Sequence, residues 1–196
     1  LRNFLIYVHG DTGKAAERIE KCLEWRRTHL PIDRGTVLAP LRKRLFFFQG
    51  KDRAGRPIAY FRLQGHDRKN RVIEQYVQTV VYASESLVAR MGGSNYRITL
   101  VIDRRGASLF NQDLELYKAF FNIFGVLYPM KLFQVILYPA TTMTRVLWSM
   151  LRHFVHSHVQ RRLVLVSDPQ GFAPYIALDQ LLASLGGELK EKDMEE

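Results

Sequence analysis

The sequence predicts an α/β fold in which an N-terminal helical cap precedes a mixed, largely parallel sheet flanked by helices. Three observations carry this. From residue 98 onward short strand-like runs alternate with helical segments, and crossovers of that kind are what parallel neighbours require. A polar turn bounded by Gly50 and Gly55 joins two apolar runs into a hairpin. Ahead of it, residues 1–45 carry helical periodicity.

Taken in order, residues 14–29 form a helix: Ala15, Ile19, Cys22, Leu23 and Trp25 recur at helical spacing, and Pro31 stops it. A short helical piece follows at 37–44. Phe46, Phe47 and Phe48 lead into Gly50-Lys51-Asp52-Arg53-Ala54-Gly55-Arg56-Pro57, and residues 58–63 resume the apolar run as the second hairpin strand. Ile73, Val77, Val80, Val81, Ser84, Val88 and Met91 lie on one face of a long helix ended by Gly92-Gly93. Residues 98–102 are a strand, closed by Asp103-Arg104-Arg105-Gly106. Leu114, Tyr117, Phe120, Phe121, Phe124 and Tyr128 mark the next helix, halted by Pro129. Residues 132–137 are a strand ended by Pro139, 142–155 an unusually apolar helix, 163–166 another strand, and 176–185 a last short helix with Gly186-Gly187 as its stop.

With 196 residues, 47% hydrophobic and 24% charged, the chain has room for one core, and its composition excludes disordered, collagen-like and disulfide-framework classes. Cys22 has no partner in the chain, which fits a reducing compartment and reads as a small buried helix residue. No run of 18 apolar residues is present, so no spanning helix is expected. The chain opens on Leu1 rather than Met and reads as a domain truncated at its start. Its net charge of +10 is regional. Residues 1–98 hold 19 Lys/Arg against 9 Asp/Glu, 116–167 hold six cations and no acid, and 168–196 hold two cations and seven acids. A regional basic surface points to an anionic partner, whether membrane, nucleic acid or phosphorylated ligand.

Five motifs stand in order along the chain. Leu1-Arg2-Asn3-Phe4-Leu5 leads to Asp11, Lys14-Ala15-Ala16 and Leu23-Glu24-Trp25-Arg26; then come Gly50-x-Asp52-x-x-Gly55-Arg56-Pro57, Ile102-Asp103-x-x-Gly106, Tyr128-Pro129 and Leu185-Gly186-Gly187. In this order and spacing they resemble the CRAL-TRIO lipid-binding family, which includes the phosphatidylinositol-transfer, tocopherol-transfer and cellular retinaldehyde-binding proteins. The resemblance implies residues 1–45 as a cap, 46–196 as the lipid-binding lobe, and an apolar cavity that holds a single lipid above a sheet floor. Burying its chain would contribute about 0.8 kcal/mol per methylene. Ile98, Leu100 and Ile102 on one face, with Phe133, Val135 and Leu137 on another, are the expected lining, and Phe120, Phe121 and Phe124 complete it. Packing against helices would explain the same residues.

Residues 142–155 stand where the family has its gate helix. Val146, Leu147, Met150, Leu151, Phe154 and Val155 make it apolar over so much of its circumference that it is either buried or meets lipid when it moves. Trp148, with Arg145 and Arg152 seven residues apart on one face, is expected to dock on an anionic bilayer. A core helix with two exposed arginines is the plainer alternative. Of the contacts the resemblance implies for phosphatidylinositol, Ile6-Tyr7-Val8-His9 lacks the Arg, Val159 stands at the Thr, and Arg162 stands at the Lys as the candidate headgroup ligand, reading equally as one exposed half of Arg161-Arg162. The phosphocholine contacts are missing as well, because Ile98 and Leu100 stand at hydroxyl positions and Leu137-Tyr138-Pro139 lacks the Asn. A drier pocket follows, suited to a sterol, prenol, tocopherol-like, retinoid or fatty acyl ligand, with a phosphoinositide second.

Enzyme motifs are absent from the sequence: it has no glycine-rich phosphate loop ending in Lys-Ser/Thr, no Gly-x-Ser-x-Gly and no His-Glu-x-x-His. His153, His156 and His158 have no carboxylate or thiol nearby in sequence, so a pH-sensitive surface is expected there, and no metal or cofactor. Arg42-Lys43-Arg44 before Phe46, and Arg68-Lys69-x-Arg71, have the cation-plus-aromatic character of single-strand binders. The phenylalanines are needed as hairpin core, however, so no nucleic-acid partner is expected. The expectation is a monomeric, non-enzymatic lipid-transfer domain, cytoplasmic and peripheral on membranes; a protein-interaction scaffold with a filled pocket is the alternative.

Overall fold

The computed structural model describes residues 1–64, 66–91, 96–107 and 113–192. The cap consists of α1 (Arg2–Tyr7), α2 (Thr12–His29) and α3 (Arg34–Arg42). Asp11 caps α2, accepting the Lys14 amide at 2.9 Å, and Arg26, Arg27 and His29 in the last turn complement its dipole. Within α2 the buried face is Ala15 and Cys22; Leu23, one position round the helix, is 47% exposed, against the periodicity reading.

Strands β1 (Phe46–Lys51) and β2 (Pro57–Arg62) form the antiparallel hairpin. Asp52 builds its turn: the carboxylate accepts the amides of Ala54 and Arg56 at 2.9 Å each and the Thr99 hydroxyl at 2.7 Å, and pairs with the Arg56 guanidinium at 2.8 Å. Burial alone would raise its pKa, but these donors outweigh burial and hold it below the usual carboxylate range. Strands β3 (Ile98–Asp103), β4 (Leu132–Tyr138) and β5 (Leu163–Leu165) then add in sequence order, each parallel to its neighbour. The crossovers are α4 (Ile73–Met91), α5 (Leu114–Val126) and α6 (Thr142–Leu151). On α4 the buried positions include Thr79 and Leu87, while Met91 is 47% exposed; the Gly92-Gly93 stop lies outside the described residues.

The sheet separates two cores. On one side α2, α4, α5 and α6 cover Phe61, Leu100, Ile102, Val135 and Leu137. On the other, the chain from Val166 to Leu189 covers Ile58, Tyr60, Val101 and Ile136 with Phe172, Ile176 and Leu181. Register explains the division. Leu100 pairs with Val135 and Ile102 with Leu137, so these four share one face, contrary to the expectation that the two strands line different faces. A register shift after Ile98 displaces Phe133 from that face; its ring lies 3.5 Å from the Arg56 guanidinium and 4.5 Å from that of Arg162.

Two expected helices differ. The 142–155 segment is α6 only to Leu151; a 3-10 turn (Arg152–Phe154) and an extended Val155 follow, and then α7 (Ser157–Gln160). The Gln160 side-chain amide donates to the carbonyls of Arg152 at 2.8 Å and Val155 at 2.7 Å, stabilising the break. The expected final helix at 176–185 is instead a pair of 3-10 turns, Leu178–Gln180 and Ala183–Leu185. Between them the backbone is extended, which buries the adjacent Leu181 and Leu182 together.

The cap is fastened to the lobe by polar contacts. Arg26 of α2 reaches Glu85 of α4 with both guanidinium nitrogens at 2.9 Å, and Tyr128 donates its hydroxyl to the same carboxylate at 2.6 Å. Burial pushes Glu85 up, but those donors outweigh it and keep the carboxyl ionised.

Candidate functional site

The expected cavity lining is packed against itself. Ile98, Leu100, Ile102, Val135 and Leu137 are buried beneath α4 and α5. Phe120 stacks on Phe61 at 4.8 Å and meets Phe46, Phe121 and Phe124 at 5.6, 5.8 and 5.2 Å. The apolar space left beside Phe120 is about 10 Å³, and beside Phe121 and Phe124 about 30 Å³. In this conformation neither void beside the aromatic cluster is large enough for a lipid chain.

Helix α6 presents two apolar faces. Leu147 and Leu151 are buried on the core, as is Val155 beyond the helix end. Val146, Met150 and Phe154 point the other way, each more than half exposed. Arg145 and Arg152 are exposed beside that stripe, and the Lys118 ammonium lies 4.4 Å from the Phe154 ring. Trp148, expected among the docking residues, is only partly exposed and packs against the core. Thr141 caps the helix by accepting the Thr144 amide at 3.2 Å, and the Thr144 hydroxyl donates to the Pro139 carbonyl at 2.7 Å.

A feature the sequence reading missed lies at the sheet edge where the parallel strands begin. Arg56, Arg97, Lys131 and Arg162 each stand one residue before β2, β3, β4 and β5. Parallel pairing brings the four starts to the same edge; Arg56, Arg97 and Lys131 are level, and Arg162 lies beside Gln134. Arg56 is paired with Asp52, whereas Arg97, Lys131 and Arg162 make no ion pair among the described residues. Burial and the Arg97 charge push the Lys131 ammonium down, and burial with Arg97, Arg161 and Arg56 does the same to Arg162. The signal was present in the sequence as a cation directly ahead of each of β2, β3, β4 and β5.

His158 senses this row. It lies 2.6 Å from the Arg162 guanidinium through Nε2, which accepts, and burial together with Arg162 and Arg97 lowers its pKa from 6.5 to about 4. Because the folded pKa lies below the unfolded one, the unfolded chain takes the proton first. Stability from this group is therefore complete above about 6.5 and is lost as the pH falls towards 4. An anion on the row would offset the guanidinium charges. Inorganic phosphate is expected to raise the His158 midpoint, read from its ring resonances by NMR titration; an unchanged midpoint at saturating phosphate would count against anion binding there.

Elsewhere, His66 is buried between Asp113, at 3.1 Å, and the Tyr76 hydroxyl, at 3.1 Å; Asp113 also pairs with Arg71 and caps α5 through the Leu116 amide. With the His66 and Asp113 side chains 1% and 2% exposed, this cluster joins α4 to α5 rather than facing an opening. Among the described residues no group of three His, Cys, Asp or Glu side chains is placed to hold a metal ion, and no helix is long and apolar enough to cross a membrane.

A family model for the CRAL/TRIO domain matches residues 41–187. The crystal structure of Sfh5 is similar in fold, with a TM-score of 0.74 over 99% of this chain and 72% of that one, at 14% sequence identity. No curated protein matches the sequence.

Proposed function

Because this chain belongs to the CRAL/TRIO domain family of lipid-binding proteins, we propose that it binds one lipid and exchanges it with membranes, without covalent chemistry. In this reading residues 1–45 are the cap, 46–196 the lipid-binding lobe, and the domain acts as a monomer at the cytoplasmic face of an anionic membrane. The observation that carries it is the double-faced α6. Leu147 and Leu151 close the interior, while Val146, Met150 and Phe154 offer an apolar stripe beside Arg145 and Arg152. Such a stripe inserts at the acyl boundary while cations meet phosphates. In this reading, moving α6 onto the bilayer lifts Leu147 and Leu151 away from the core cluster and opens it to an acyl chain. The chain after α6 leads through α7 to Arg162, and in this reading the row of Arg97, Lys131 and Arg162 meets a lipid phosphate when the stripe docks. Arg97 and Lys131 beside Arg162 support a phosphate-bearing headgroup over the purely apolar ligands, with the strand edge as the proposed seat of the polar contacts.

The small interior voids favour a second reading, in which Phe120, Phe121 and Phe124 are permanent core and α6 docks a protein. Solvent extraction of the purified protein with mass spectrometry, followed by vesicle-to-vesicle transfer of whatever is found, separates the two. A co-purifying lipid that is transferred supports exchange; an empty extract with no transfer of any tested lipid supports the scaffold.

The double variant Met150→Glu/Phe154→Glu is expected to slow transfer at least tenfold while changing unfolding free energy by no more than about 1 kcal/mol, since both side chains are already half exposed. Normal transfer with reduced stability would argue that the stripe packs inside the protein rather than against lipid.

A further inference from the structure

Between cap and lobe runs an opening separate from the strand-edge row. It is a groove of about 380 Å³ whose walls include Tyr7 of α1, Arg18 of α2, Lys118, Phe121 and Asn122 of α5, and Phe154. Gly125 lets α1 come this close, because a Cβ there would stand 2.9 Å from the Tyr7 hydroxyl. The rim is cationic. The Arg18 guanidinium lies 4.7 Å from the Tyr7 ring and donates to the Gly125 carbonyl at 3.2 Å, and Lys118 lies over Phe154. No lining residue is acidic, and among the described residues neither cation makes an ion pair. The rings of Tyr7, Phe121 and Phe154 give the groove apolar surface, and the same three residues line a separate void of about 30 Å³ together with Leu132, Val155, His156 and His158.

We propose that this groove binds a long-chain fatty acid, its carboxylate on Lys118 and Arg18 and its alkyl chain entering past Phe154 towards Phe121. The lining dictates the occupant. Two cations without a counter-carboxylate favour an anion. The rings of Tyr7, Phe121 and Phe154 favour an alkyl chain over water. The groove volume is within the usual range for small-molecule sites. The proposal rests on the lipid-binding reading and adds to it a subsite distinct from Arg97, Lys131 and Arg162.

The test is displacement of the fluorescent fatty acid cis-parinarate by oleate, with methyl oleate as the uncharged control. Lys118 and Asn122 are exposed on α5, so Lys118→Glu and Asn122→Trp are expected to fold, which urea unfolding checks. Wild-type protein should bind oleate about tenfold more tightly than methyl oleate, the scale of one charge-assisted contact. Lys118→Glu should remove that preference by weakening oleate alone, and Asn122→Trp should weaken both by filling the groove. Equal affinities for oleate and its ester, or an oleate affinity unchanged in both variants, would overturn the site. If wild-type protein binds phosphoinositide vesicles but not oleate, the fatty-acid site alone fails; if it binds neither, the lipid-binding reading fails with it.

Discussion

Replacing Phe120 by Ala is expected to lower the unfolding free energy by about 3–5 kcal/mol, the range for truncating a fully buried aromatic side chain. Phe120 is 2% exposed and in ring contact with Phe46, Phe61, Phe121 and Phe124, so it has many contacts to lose. The adjoining void of about 10 Å³ means the site is already filled, and the surroundings cannot collapse onto much less. Urea unfolding measures this loss. The same variant also separates a latent cavity from permanent core. If the interior takes an acyl chain, the space left by Phe120 should be refilled by lipid, and a ligand at a hundredfold excess over its Kd would return about 2.7 kcal/mol. Stabilisation of Phe120→Ala by lipid beyond that of the wild-type protein supports the exchangeable interior. A loss that no tested lipid repairs identifies the aromatic cluster as core and promotes the scaffold reading.

The elements of the lobe were legible because their signals are local. The Gly50 to Pro57 turn, the apolar run at 98–102 and the helical spacing of Leu114 to Phe124 each follow from the chain itself, and the parallel topology follows from the helices between strands. What escaped depended on partners distant in sequence. A run such as Val135-Ile136-Leu137 is apolar at every position, so periodicity could not say that Val135 and Leu137 share a face with Leu100 and Ile102. The break after Leu151 is held by Gln160, nine residues away, and composition alone gives no sign of it. Nor can apolar character tell lining from packing; Phe120 satisfies both until the distances to Phe61 and Phe46 are known. The cation row was visible as letters in the sequence and became a site only once β2, β3, β4 and β5 began at one edge.

Reversing that row, with Arg97→Glu, Lys131→Glu and Arg162→Glu combined, is expected to weaken binding to vesicles containing phosphatidylinositol 4-phosphate by at least a hundredfold. Each cation close to an anionic surface contributes about 1 kcal/mol, so removing three costs roughly 3 kcal/mol, and the added carboxylates contribute repulsion on top. Arg56 is left in place because it belongs to the hairpin turn through Asp52. The fold itself should tolerate the change. In the native protein Lys131 and Arg162 are both disfavoured as cations by burial and by Arg97, so the row opposes its own charge, and removing it relieves that repulsion. The same relief should raise the His158 midpoint above about 4 without any ligand. Binding to vesicles of neutral lipid should persist, because it depends on Val146, Met150 and Phe154 rather than on the row. Phosphoinositide binding that survives the triple reversal at low salt would remove the strand edge as headgroup site. Loss of neutral-lipid binding as well would indicate that the row supports α6 structurally. Only a selective loss, with the His158 shift, leaves Arg97, Lys131 and Arg162 as the groups that meet the phosphate.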